Sequence, residues 1–471
     1  MSQARTLDEI HFVTNYIQSM EMNLMKSLKK IAMAALAATA FVLSGCGAGT
    51  ASSVKPDDVN PEGEIKPHSI SWLLSRPVDG GVITAMKQIA ADYAKEHKGF
   101  ELKFITTPDR PSYIQKLETL AAANKLPELF DIDATPFASK LAKKGTMLNV
   151  EAMLKDMGLY DKYRTSALDY QRFDDGSLYM VPFESQVEVF FYNKALLKQA
   201  GVEIPKTLDD IPQMCSTLKE SGITPIAMDG QDMWPLERFM AYYPFRQSGN
   251  DYIKKLKKGE AKLSDTTGRE AVQWMADLGS SGCFQEGFSS TGYADAQALF
   301  TSGKAAIYNT GSWDLPTLAT ESLDASVRDQ IDYFLLPVTD GGSTTQNEYV
   351  APSGIGMAVN TKGYDPLVRD FLKYALEQYP TVYGSTGQVT PTTGEGMKLP
   401  SDATDLYQRI VDESDKVGEV TAMPWDTQLD STSNTRLQQE LVLLVQGDVS
   451  VDEFISTMDA VIAGNGPKAF K

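Results

Sequence analysis

Gly176-Ser-Leu-Tyr-Met-Val-Pro-Phe-Glu-Ser-Gln-Val-Glu-Val-Phe-Phe-Tyr-Asn193 is the stretch that decides how this chain is organised. It contains two runs rich in Val, Phe and Tyr, residues 177–183 and 187–192, and these residue types favour β-strands. Pro182 has no N–H to donate to a ladder, so the first strand is expected to end there or to lie at a sheet edge. A short polar piece, Glu184-Ser-Gln186, joins the two runs.

A helix is predicted directly after this stretch, because the segment from Lys194 to Gly201 has a helical pattern closed by a glycine. Strand, polar joint, strand and helix is the succession by which a chain leaves one α/β lobe and begins another. We therefore interpret residues 184–186 as the first crossing between two lobes. An ordinary β-bend inside one domain has the same spacing, so the spacing alone leaves both interpretations open.

Strand and helix patterns alternate before this stretch. The sequence predicts strands at residues 69–74, 101–106 and 128–133, and helices at residues 82–97, 113–123 and 137–144. This alternation predicts right-handed parallel units and a doubly wound α/β lobe. Ligands bind at the carboxyl ends of the strands in such lobes. The loop at Arg76, the turn at Asp109 and the loop at Asp133 are therefore candidate ligand contacts.

The same alternation resumes after Gln186, so the chain is predicted to form two α/β lobes. The roughly 425 residues that follow position 46 also exceed one ordinary domain. The predicted segments are a leader at 1–45, a flexible tether at 46–67, a first lobe from 68–183 and 357–390, and a second lobe from 187–352 and 391–471.

The leader has the features of a secretory signal. Lys26, Lys29 and Lys30 precede an apolar run at residues 31–43, and small residues follow it. The run is shorter than the roughly 20 residues that a transmembrane helix needs. The ending Leu43-Ser-Gly-Cys46 resembles a bacterial lipobox, which implies that Cys46 becomes the lipid-modified first residue of the mature protein. A plain signal with an unrelated cysteine is the alternative.

The chain is acidic, with 44 basic and 62 acidic residues and a net charge of −18. The leader accounts for four of the basic and three of the acidic residues, so residues 46–471 carry about −19. Nucleic acids and anionic membrane faces need a basic footprint, so they are not expected as partners. Membrane contact is expected through the lipid alone. Outside the leader region, Cys215 and Cys283 could form a disulfide or remain buried thiols, and the sequence leaves both possibilities open.

Six segments, in this order along the chain, resemble the solute-binding proteins of bacterial ABC importers, and in particular the carbohydrate-binding group similar to maltodextrin-binding protein. They are Pro127-Glu-Leu-Phe-Asp-Ile-Asp133, residues 176–194, Pro205-Lys-Thr-Leu-Asp209, residues 303–313, Ala351-Pro-Ser-Gly-Ile-Gly356, and Gly447-Asp-Val-Ser-Val-Asp-Glu-Phe454. The resemblance implies two α/β lobes joined by a hinge of three crossings, at residues 184–186, near Pro352 and at residues 387–393. It also implies a monomer that delivers a sugar to the permease subunits of an ABC importer at the outer face of the cell membrane.

The resemblance further implies a set of sugar contacts. A sugar ring stacks its apolar face on an aromatic plane, and its hydroxyl rim needs carboxylates, amides and arginine. Trp313, in a Gly-Ser-Trp turn, is the implied stacking surface of the second lobe. The other implied contacts are Trp234, Trp425, Asp232, Glu184, Asp133, Arg76 and Asp109. Six of these contacts have a structural alternative: core packing for the three tryptophans, a helix cap for Asp133, a surface ion pair for Arg76, and hinge hydrogen bonding for Glu184.

Two other functions are compatible with a secreted, lipid-anchored chain. A glycoside hydrolase would need two carboxylates across a cleft, which an acidic sequence does not exclude. A surface carbohydrate adhesin would bind without transport. The sequence contains no H-E-x-x-H, no G-x-S-x-G, no Gly-rich phosphate loop and no Cys/His metal spacing. We therefore expect a binding protein rather than an enzyme, with no cofactor and no metal.

Overall fold

Two four-stranded sheets organise the computed structural model of this chain, which describes residues 55–470 except for 77, 79, 108, 394–397 and 419. The strands are β1 (Ser69–Leu73), β2 (Glu101–Ile105), β3 (Leu129–Ile132), β4 (Glu188–Asn193), β5 (Thr224–Ala227), β6 (Ala305–Gly311), β7 (Ile331–Phe334) and β8 (Gly356–Val359). The first sheet has the order β2-β1-β3-β8 and the second has the order β5-β6-β4-β7.

Helices surround both sheets. Those whose sequence lies before β4 are α1 (Gly81–Glu96), α2 (Arg110–Ala122), α3 (Pro136–Lys143), α4 (Val150–Asp156) and α5 (Thr165–Tyr170). Those between β4 and β8 are α6 (Lys194–Ala200), α7 (Asp210–Glu220), α8 (Trp234–Ser248), α9 (Asp251–Leu256), α10 (Thr266–Ser280), α11 (Tyr293–Thr301), α12 (Leu315–Leu318) and α13 (Ala325–Arg328). Those after β8 are α14 (Pro366–Gly384), α15 (Asp405–Ser414), α16 (Trp425–Gln428), α17 (Ser431–Gln446) and α18 (Val451–Ala469).

Both faces of each sheet are packed against other elements, and successive side chains of a strand point to opposite faces. In β4, Phe190 and Tyr192 pack in one apolar cluster, whereas Val189 and Phe191 pack in another. All six residues of β4 are buried, which explains the continuous run of Val, Phe and Tyr in the sequence. The first sheet is covered in the same way by two further clusters. The predicted fold, two α/β lobes, is confirmed.

The strand directions differ from simple parallel units. In the first sheet β1 is parallel to β2 and β3, but β8 is antiparallel to β3. In the second sheet β4 is antiparallel to both β6 and β7. The first predicted run, residues 177–183, forms only the isolated bridges Arg172–Leu178 and Val181–Met357 rather than a strand. Pro182 accounts for this in part, since it offers no N–H to a ladder.

Three segments run side by side where the chain passes between the sheets. The Gln186 N–H donates to the Pro352 carbonyl at 3.0 Å, and the Ser185 N–H donates to the Val389 carbonyl at 3.3 Å. A further bond, from the Glu188 N–H to the Val350 carbonyl at 2.8 Å, continues the first pairing toward the second sheet. Three adjacent, hydrogen-bonded crossings form a hinge of the kind that lets two lobes rotate as rigid bodies.

Buried charges brace this hinge. Arg76 donates to Asp131 from Nε at 3.0 Å and also donates to the Ile355 carbonyl, and its Nη1 lies 3.7 Å from the Glu184 carboxylate. Burial acts to lower the pKa of Arg76, but Asp131 and Glu184 outweigh it and the net pKa is raised. Gly354 has a φ of +68°, and a Cβ there would collide with the Glu184 carboxylate. The backbone at Gly354 therefore accepts only glycine without rearrangement.

The amino-terminal part of the described chain lies against the first sheet's helices. The Asn149 N–H donates to the Pro56 carbonyl at 2.8 Å, and the Tyr364 hydroxyl donates to the Val59 carbonyl at 2.8 Å. The described part of the predicted tether, from Lys55 onward, is thus held by hydrogen bonds. The predicted leader and Cys46 lie outside the described residues. Within the described part of the chain, no helix combines the length and the apolar character needed to cross a membrane.

Cys215 and Cys283 form a disulfide, which resolves the alternative that the sequence left open. The bond joins α7 to the segment that follows α10, and both cysteines are fully buried. The Cys283 carbonyl accepts from the Ile226 N–H of β5 at 2.8 Å, so the bridge is anchored at the edge strand of the second sheet.

Candidate functional site

A cavity of about 140 Å³ lies between the elements packed on the first sheet and those packed on the second sheet. One wall comes from the loops after β1 and β3 and from α2 and α3, and the other comes from the starts of α8 and α17 and from α16. The lining residues are Ser75, Arg110, Tyr113, Ile114, Leu117, Glu118, Ile132, Asp133, Thr135, Pro136, Phe137, Trp234, Ile355, Asp426, Leu429, Ser431, Asn434, Thr435 and Gln438. We call this space the cleft.

Among the described residues, four helices have their first residue in the lining of the cleft. Arg110 opens α2, Pro136 opens α3, Trp234 opens α8 and Ser431 opens α17. The first two follow strands β2 and β3, so they lie at the carboxyl ends of those strands. This is the edge at which α/β sheets place their ligands. The structure therefore brings the predicted loops after β1, β2 and β3 to one cleft, which they line with Ser75, Arg110 and Asp133.

Arg110 and Asp133 form an ion pair on the first wall. The Arg110 Nη2 donates to the Asp133 carboxylate at 2.5 Å, and both side chains are largely shielded from solvent. Burial raises the pKa of Asp133, and the Arg110 guanidinium opposes that rise. The N-cap of α3 is Thr135, whose hydroxyl accepts from the Ala138 N–H. Asp133 is therefore not the helix cap, and its carboxylate faces the cleft with Arg110.

Arg238 organises the charges of the second wall. Its Nε donates to Glu188 at 3.1 Å and its Nη1 donates to Asp426 at 2.5 Å. Burial raises the pKa of Glu188, against the attraction of Arg238. The guanidinium also lies 5.4 Å from the ring centre of Trp234. Arg238 thus contacts the first residue of β4, the ring of Trp234 and the Asp426 carboxylate that lines the cleft.

Glu237, next to Arg238 in the first turn of α8, is fully buried. Its Oε2 accepts from Gln438 at 3.3 Å, and its Oε1 has no hydrogen-bond partner among the described residues. Burial raises the pKa of this carboxyl well above its usual range, and the charge of Asp426 adds to the effect. Gln438 lines the cleft, so Glu237 lies one residue behind its surface.

Two tryptophans form an aromatic corner at the second wall. Trp234 lines the cleft and meets Trp313 edge to face, with ring centres 6.3 Å apart. The Trp313 Nε1 donates to the Tyr293 hydroxyl at 2.7 Å, which in turn donates to Asp314 at 2.6 Å. Trp313 itself is half-buried and lies beside the cleft lining rather than in it.

Gly311 makes room for the Trp313 ring. Its φ is −98°, so the backbone needs no glycine there, but a Cβ would lie 2.1 Å from the nearest ring atom of Trp313. Asp314 holds the other side of this arrangement and also accepts from Thr310 at 2.7 Å and from Gln297 at 2.9 Å. Burial raises the pKa of Asp314 to about 6, although these hydrogen bonds lower it.

Asp229 and Asp232 lie in the loop before α8. The Asp232 N–H donates to Asp229 Oδ1 at 3.1 Å, and the other oxygen of Asp229 is buried without a partner among the described residues. Burial raises the pKa of Asp229 to about 7, against the hydrogen bond from Asp232. Asp229 lines a small pocket behind Trp234, whereas Asp232 belongs to neither that pocket nor the cleft lining.

The remaining predicted contacts have structural roles in this arrangement. Trp425 is 2% exposed and packs in the core against Tyr252 rather than facing the cleft. Asp109 caps α2 by accepting from the Ser112 N–H at 2.7 Å. Arg76 and Glu184 lie in the hinge, where Tyr383 donates to Glu184 at 3.3 Å. Core packing was the alternative given above for Trp425, and the structure shows it. A surface ion pair was the alternative for Arg76, whose ion pair is instead buried.

Sequence reasoning missed several cleft residues. Arg110 directly follows Asp109, and Asp426 directly follows Trp425. Both cleft residues are thus adjacent in sequence to residues that were predicted as ligand contacts. Arg238 lies on the same side of α8 as Trp234, four residues later, and that spacing was the available signal. The polar side chains Asn434 and Gln438 of α17 have the same four-residue spacing and line the cleft together.

The two walls also contact each other outside the cleft. The Lys257 ammonium, at the end of α9, donates to Asp174 at 2.6 Å and to Gln428 at 2.8 Å. Lys257 and Gln428 belong with the second sheet, whereas Asp174 follows Phe173, which packs in a core cluster of the first sheet. The Lys257 side chain is 3% exposed, so its charge is satisfied mainly by this contact.

A family profile described as bacterial extracellular solute-binding protein matches residues 80–378, which is more than half of the chain. The chain belongs to this family. The predicted identity is thereby confirmed, and neither the hydrolase nor the adhesin alternative is supported. Members of the family are extracellular binding proteins, so the coarser prediction of an extracytoplasmic binding protein is confirmed as well.

The relatives and solved structures named here are similar to between 44% and 85% of the chain. The multiple sugar-binding protein of Streptococcus mutans is 24% identical over 77% of this chain and 83% of its own length. The sn-glycerol-3-phosphate-binding periplasmic protein UgpB of Rhizobium meliloti is 24% identical over 44% of this chain and 49% of its own length. A chitin oligosaccharide binding protein superposes with a TM-score of 0.74 at 22% identity, over 85% of this chain and 99% of that chain. A protein studied for xylan utilization in Caldanaerobius polysaccharolyticus gives 0.72 at 22% identity, over 83% and 99%. These structures share the two-lobe fold of this solute-binding protein.

Proposed function

We propose that this solute-binding protein captures an oligosaccharide in the cleft between its lobes and delivers it to the permease subunits of an ABC importer. The observation that carries the proposal is the composition of the cleft. One wall holds the Trp234 ring with Trp313 beside it, and the facing surfaces hold carboxylates, amides, hydroxyls and a guanidinium. Relatives named for binding sugars support the choice of ligand.

The physical chemistry of sugar binding matches these residues. An apolar ring face can lie on the Trp234 indole, which removes apolar surface from water. Asp133 and Asp426 can accept hydrogen bonds from sugar hydroxyls, and Asn434 and Gln438 can both donate and accept. Trp313 continues the aromatic surface beyond the cleft lining, where a second or third sugar unit would reach it. The cleft of about 140 Å³ suits one ring, with further units extending past its mouth.

Closure of the lobes couples ligand capture to transport. A ligand that touches both walls binds the closed arrangement more tightly than the open one, so it shifts the equilibrium toward closure. The three hinge crossings supply the rotation axis, and the Lys257–Asp174 contact holds the lobes together away from the ligand. The permease then recognises the closed, loaded form.

The protein acts as a monomeric binding protein rather than an enzyme, and a lipid on Cys46 holds it at the outer face of the membrane. The basic and apolar leader followed by Leu43-Ser-Gly-Cys46 supports this anchor. Cys46→Ala is expected to release the protein from the membrane fraction or to block its processing. A Cys46→Ala variant that stays in that fraction with an unchanged mass would contradict the anchor, and it would leave the sugar proposal intact.

The proposal is tested by a thermal-shift screen of the purified protein against an array of neutral oligosaccharides, followed by calorimetry of each hit. A bound ligand raises the melting temperature by mass action, by the equivalent of about 2.7 kcal/mol at 100 times Kd. Small-angle scattering with the best ligand is expected to show a smaller radius of gyration. Chromatography of the ligand after incubation separates a binder, which returns it intact, from a hydrolase. Absence of any hit at millimolar sugar would contradict the proposed function.

A further inference from the structure

We propose that the cleft is selective for uncharged sugars and rejects phosphorylated or otherwise anionic ligands; this inference rests on the proposed function and specifies its ligand class. Relatives of this chain differ in the charge of the ligands they are named for, since some are named for binding sugars and others for binding sn-glycerol 3-phosphate. The structure supplies three observations, concerning the cations, the helix starts and the remaining carboxyls of the cleft.

The cations of the cleft already have carboxylate partners. Among the described residues that line it, Arg110 is the only cation, and Asp133 holds it at 2.5 Å. Arg238, just behind the second wall, is held by both Glu188 and Asp426. Recognition of phosphate or carboxylate normally uses an arginine whose fork of N–H groups is open to the ligand. Here an anion would have to displace a buried carboxylate, which costs free energy.

The helix starts of the cleft are closed to anions as well. A helix N-terminus attracts anions through its free N–H groups and its dipole. In α2 the Asp109 carboxylate accepts from Ser112, and in α17 the Asp430 carboxylate accepts from the N–H groups of Thr432 and Ser433. These two carboxylates occupy the positions at which an anionic ligand would bind.

Each of the other two helices has one fewer N–H donor in its first turn. Pro136 is the first residue of α3 and Pro235 is the second residue of α8, and proline has no N–H. The α3 cap is taken by Thr135, and the first turn of α8 contains the carboxyl of Glu237. The four helices whose first residues line the cleft therefore present a capped or proline-containing first turn.

Carboxyl groups outnumber arginines in the cleft and directly behind it. Arg110 is paired with Asp133, and Arg238 is paired with both Glu188 and Asp426. Glu118 also lines the cleft, so these four carboxyl groups face two arginines. The chain as a whole carries −18, so its long-range field also disfavours anionic ligands. Carboxylates and amides are, by contrast, good partners for neutral hydroxyl groups. The geometry thus favours a polyol without charge.

The experiment compares matched ligands that differ only in charge. The best neutral sugar from the oligosaccharide array is titrated by calorimetry against the full chain, alongside its 6-phosphate or uronic acid counterpart, with glycerol and sn-glycerol 3-phosphate as a second pair. We expect the anionic member to bind at least a hundredfold more weakly than the neutral sugar, and sn-glycerol 3-phosphate to show no measurable binding. Equal or tighter binding of the anionic member would overturn the inference while leaving sugar capture in place. If no neutral sugar and no anion binds, both the proposed function and this inference are refuted.

A gain of function tests the cause. Asp133→Asn removes the partner of Arg110 and is expected to improve binding of the anionic counterpart at least tenfold over the unmodified protein. Asp452→Asn is the matched control, because Asp452 pairs with Arg269 on the surface and is 81% exposed. It makes the same change in net charge and is expected to leave anion binding unchanged. Asp426→Asn, which frees one side of Arg238, repeats the test on the other wall should Asp133→Asn melt before it can be assayed. If Asp133→Asn or Asp426→Asn folds and its affinity for the anionic ligand is unchanged, charge pairing is refuted as the reason why the cleft excludes anions.

Discussion

Replacing Trp234 with alanine is expected to weaken ligand binding and to destabilise the fold to a smaller degree. The half-buried ring lines the cleft, stacks near the Arg238 guanidinium and meets the edge of Trp313. Losing the cation–π contact costs about 0.5–1 kcal/mol and losing the aromatic pair costs about 0.5–1.5 kcal/mol, so these two contacts alone account for roughly 1–2.5 kcal/mol of fold stability. Losing an aromatic binding surface costs on the order of 2–4 kcal/mol of binding, which is roughly thirtyfold to a thousandfold in Kd.

Calorimetric affinity and the melting temperature without ligand are to be measured on the same Trp234→Ala preparation. Trp274→Phe is the control, because Trp274 is 2% exposed in the core of the same lobe and its Nε1 donates to the Leu208 carbonyl. It should lower the melting temperature and leave the affinity within about twofold. Trp313→Ala should weaken an oligosaccharide more than a monosaccharide, since Trp313 lies beside the cleft lining. A Trp234→Ala protein with unchanged affinity would refute the assignment of this ring to the ligand.

Three further perturbations follow from contacts away from the cleft. Asp174→Asn removes the charged partner of Lys257 between the lobes. It is expected to weaken sugar binding about fivefold, because a partly exposed ion pair contributes about 1 kcal/mol to closure. An unchanged Kd and an unchanged scattering profile would exclude this role. Replacing Cys215 and Cys283 together by alanine removes a disulfide between cysteines 68 residues apart in sequence. The free energy of unfolding should fall by about 4 kcal/mol, because the unfolded chain gains entropy, and denaturant unfolding measures this loss. A loss below about 1 kcal/mol would contradict the stabilising role of the disulfide. The carboxyl of Asp314 has a pKa of about 6 in the folded protein and an ordinary value of 3.8 in the unfolded chain. Its contribution to the free energy of unfolding is therefore greatest below about pH 4 and is lost as the pH rises to about 6. Melting curves of Asp314→Asn should lack this decline, and a pH profile identical to that of the unmodified protein would refute the raised pKa of Asp314.

Much of the first lobe follows from local sequence signals. The helix predicted at residues 82–97 is observed as Gly81–Glu96, and the strand predicted at 101–106 is Glu101–Ile105. Apolar spacing and turn residues set these boundaries within a few positions, so no distant contact is needed to predict them. Helix α8 runs from Trp234 to Ser248 and contains Pro244 in its interior, where a proline normally ends a helix. Tertiary packing, with nearly the whole helix buried, overrides the break that a proline predicts.

The cleft was only partly predictable for a physical reason. Asp133 follows a strand end and Trp234 opens a helix after a loop, so local patterns mark both as candidates. The role of Arg238 depends on Glu188 and Asp426, which lie 50 and 188 residues away in sequence, and no local pattern carries that information. Trp425 shows the converse case. It has the residue type and loop position of a ligand contact, yet its 2% exposure places it in the core.

The sheet orders have a consequence for how the chain folds as it is made. The first sheet has three of its strands by Ile132, but its fourth strand, β8, begins only at Gly356, and α14 packs on it up to Gly384. The second lobe likewise awaits α18, whose Phe454 and Met458 belong to its core. Contacts so distant along the chain delay folding, because loop closure precedes any gain from packing. A nascent chain emerging amino terminus first therefore stays without a complete lobe for most of its synthesis.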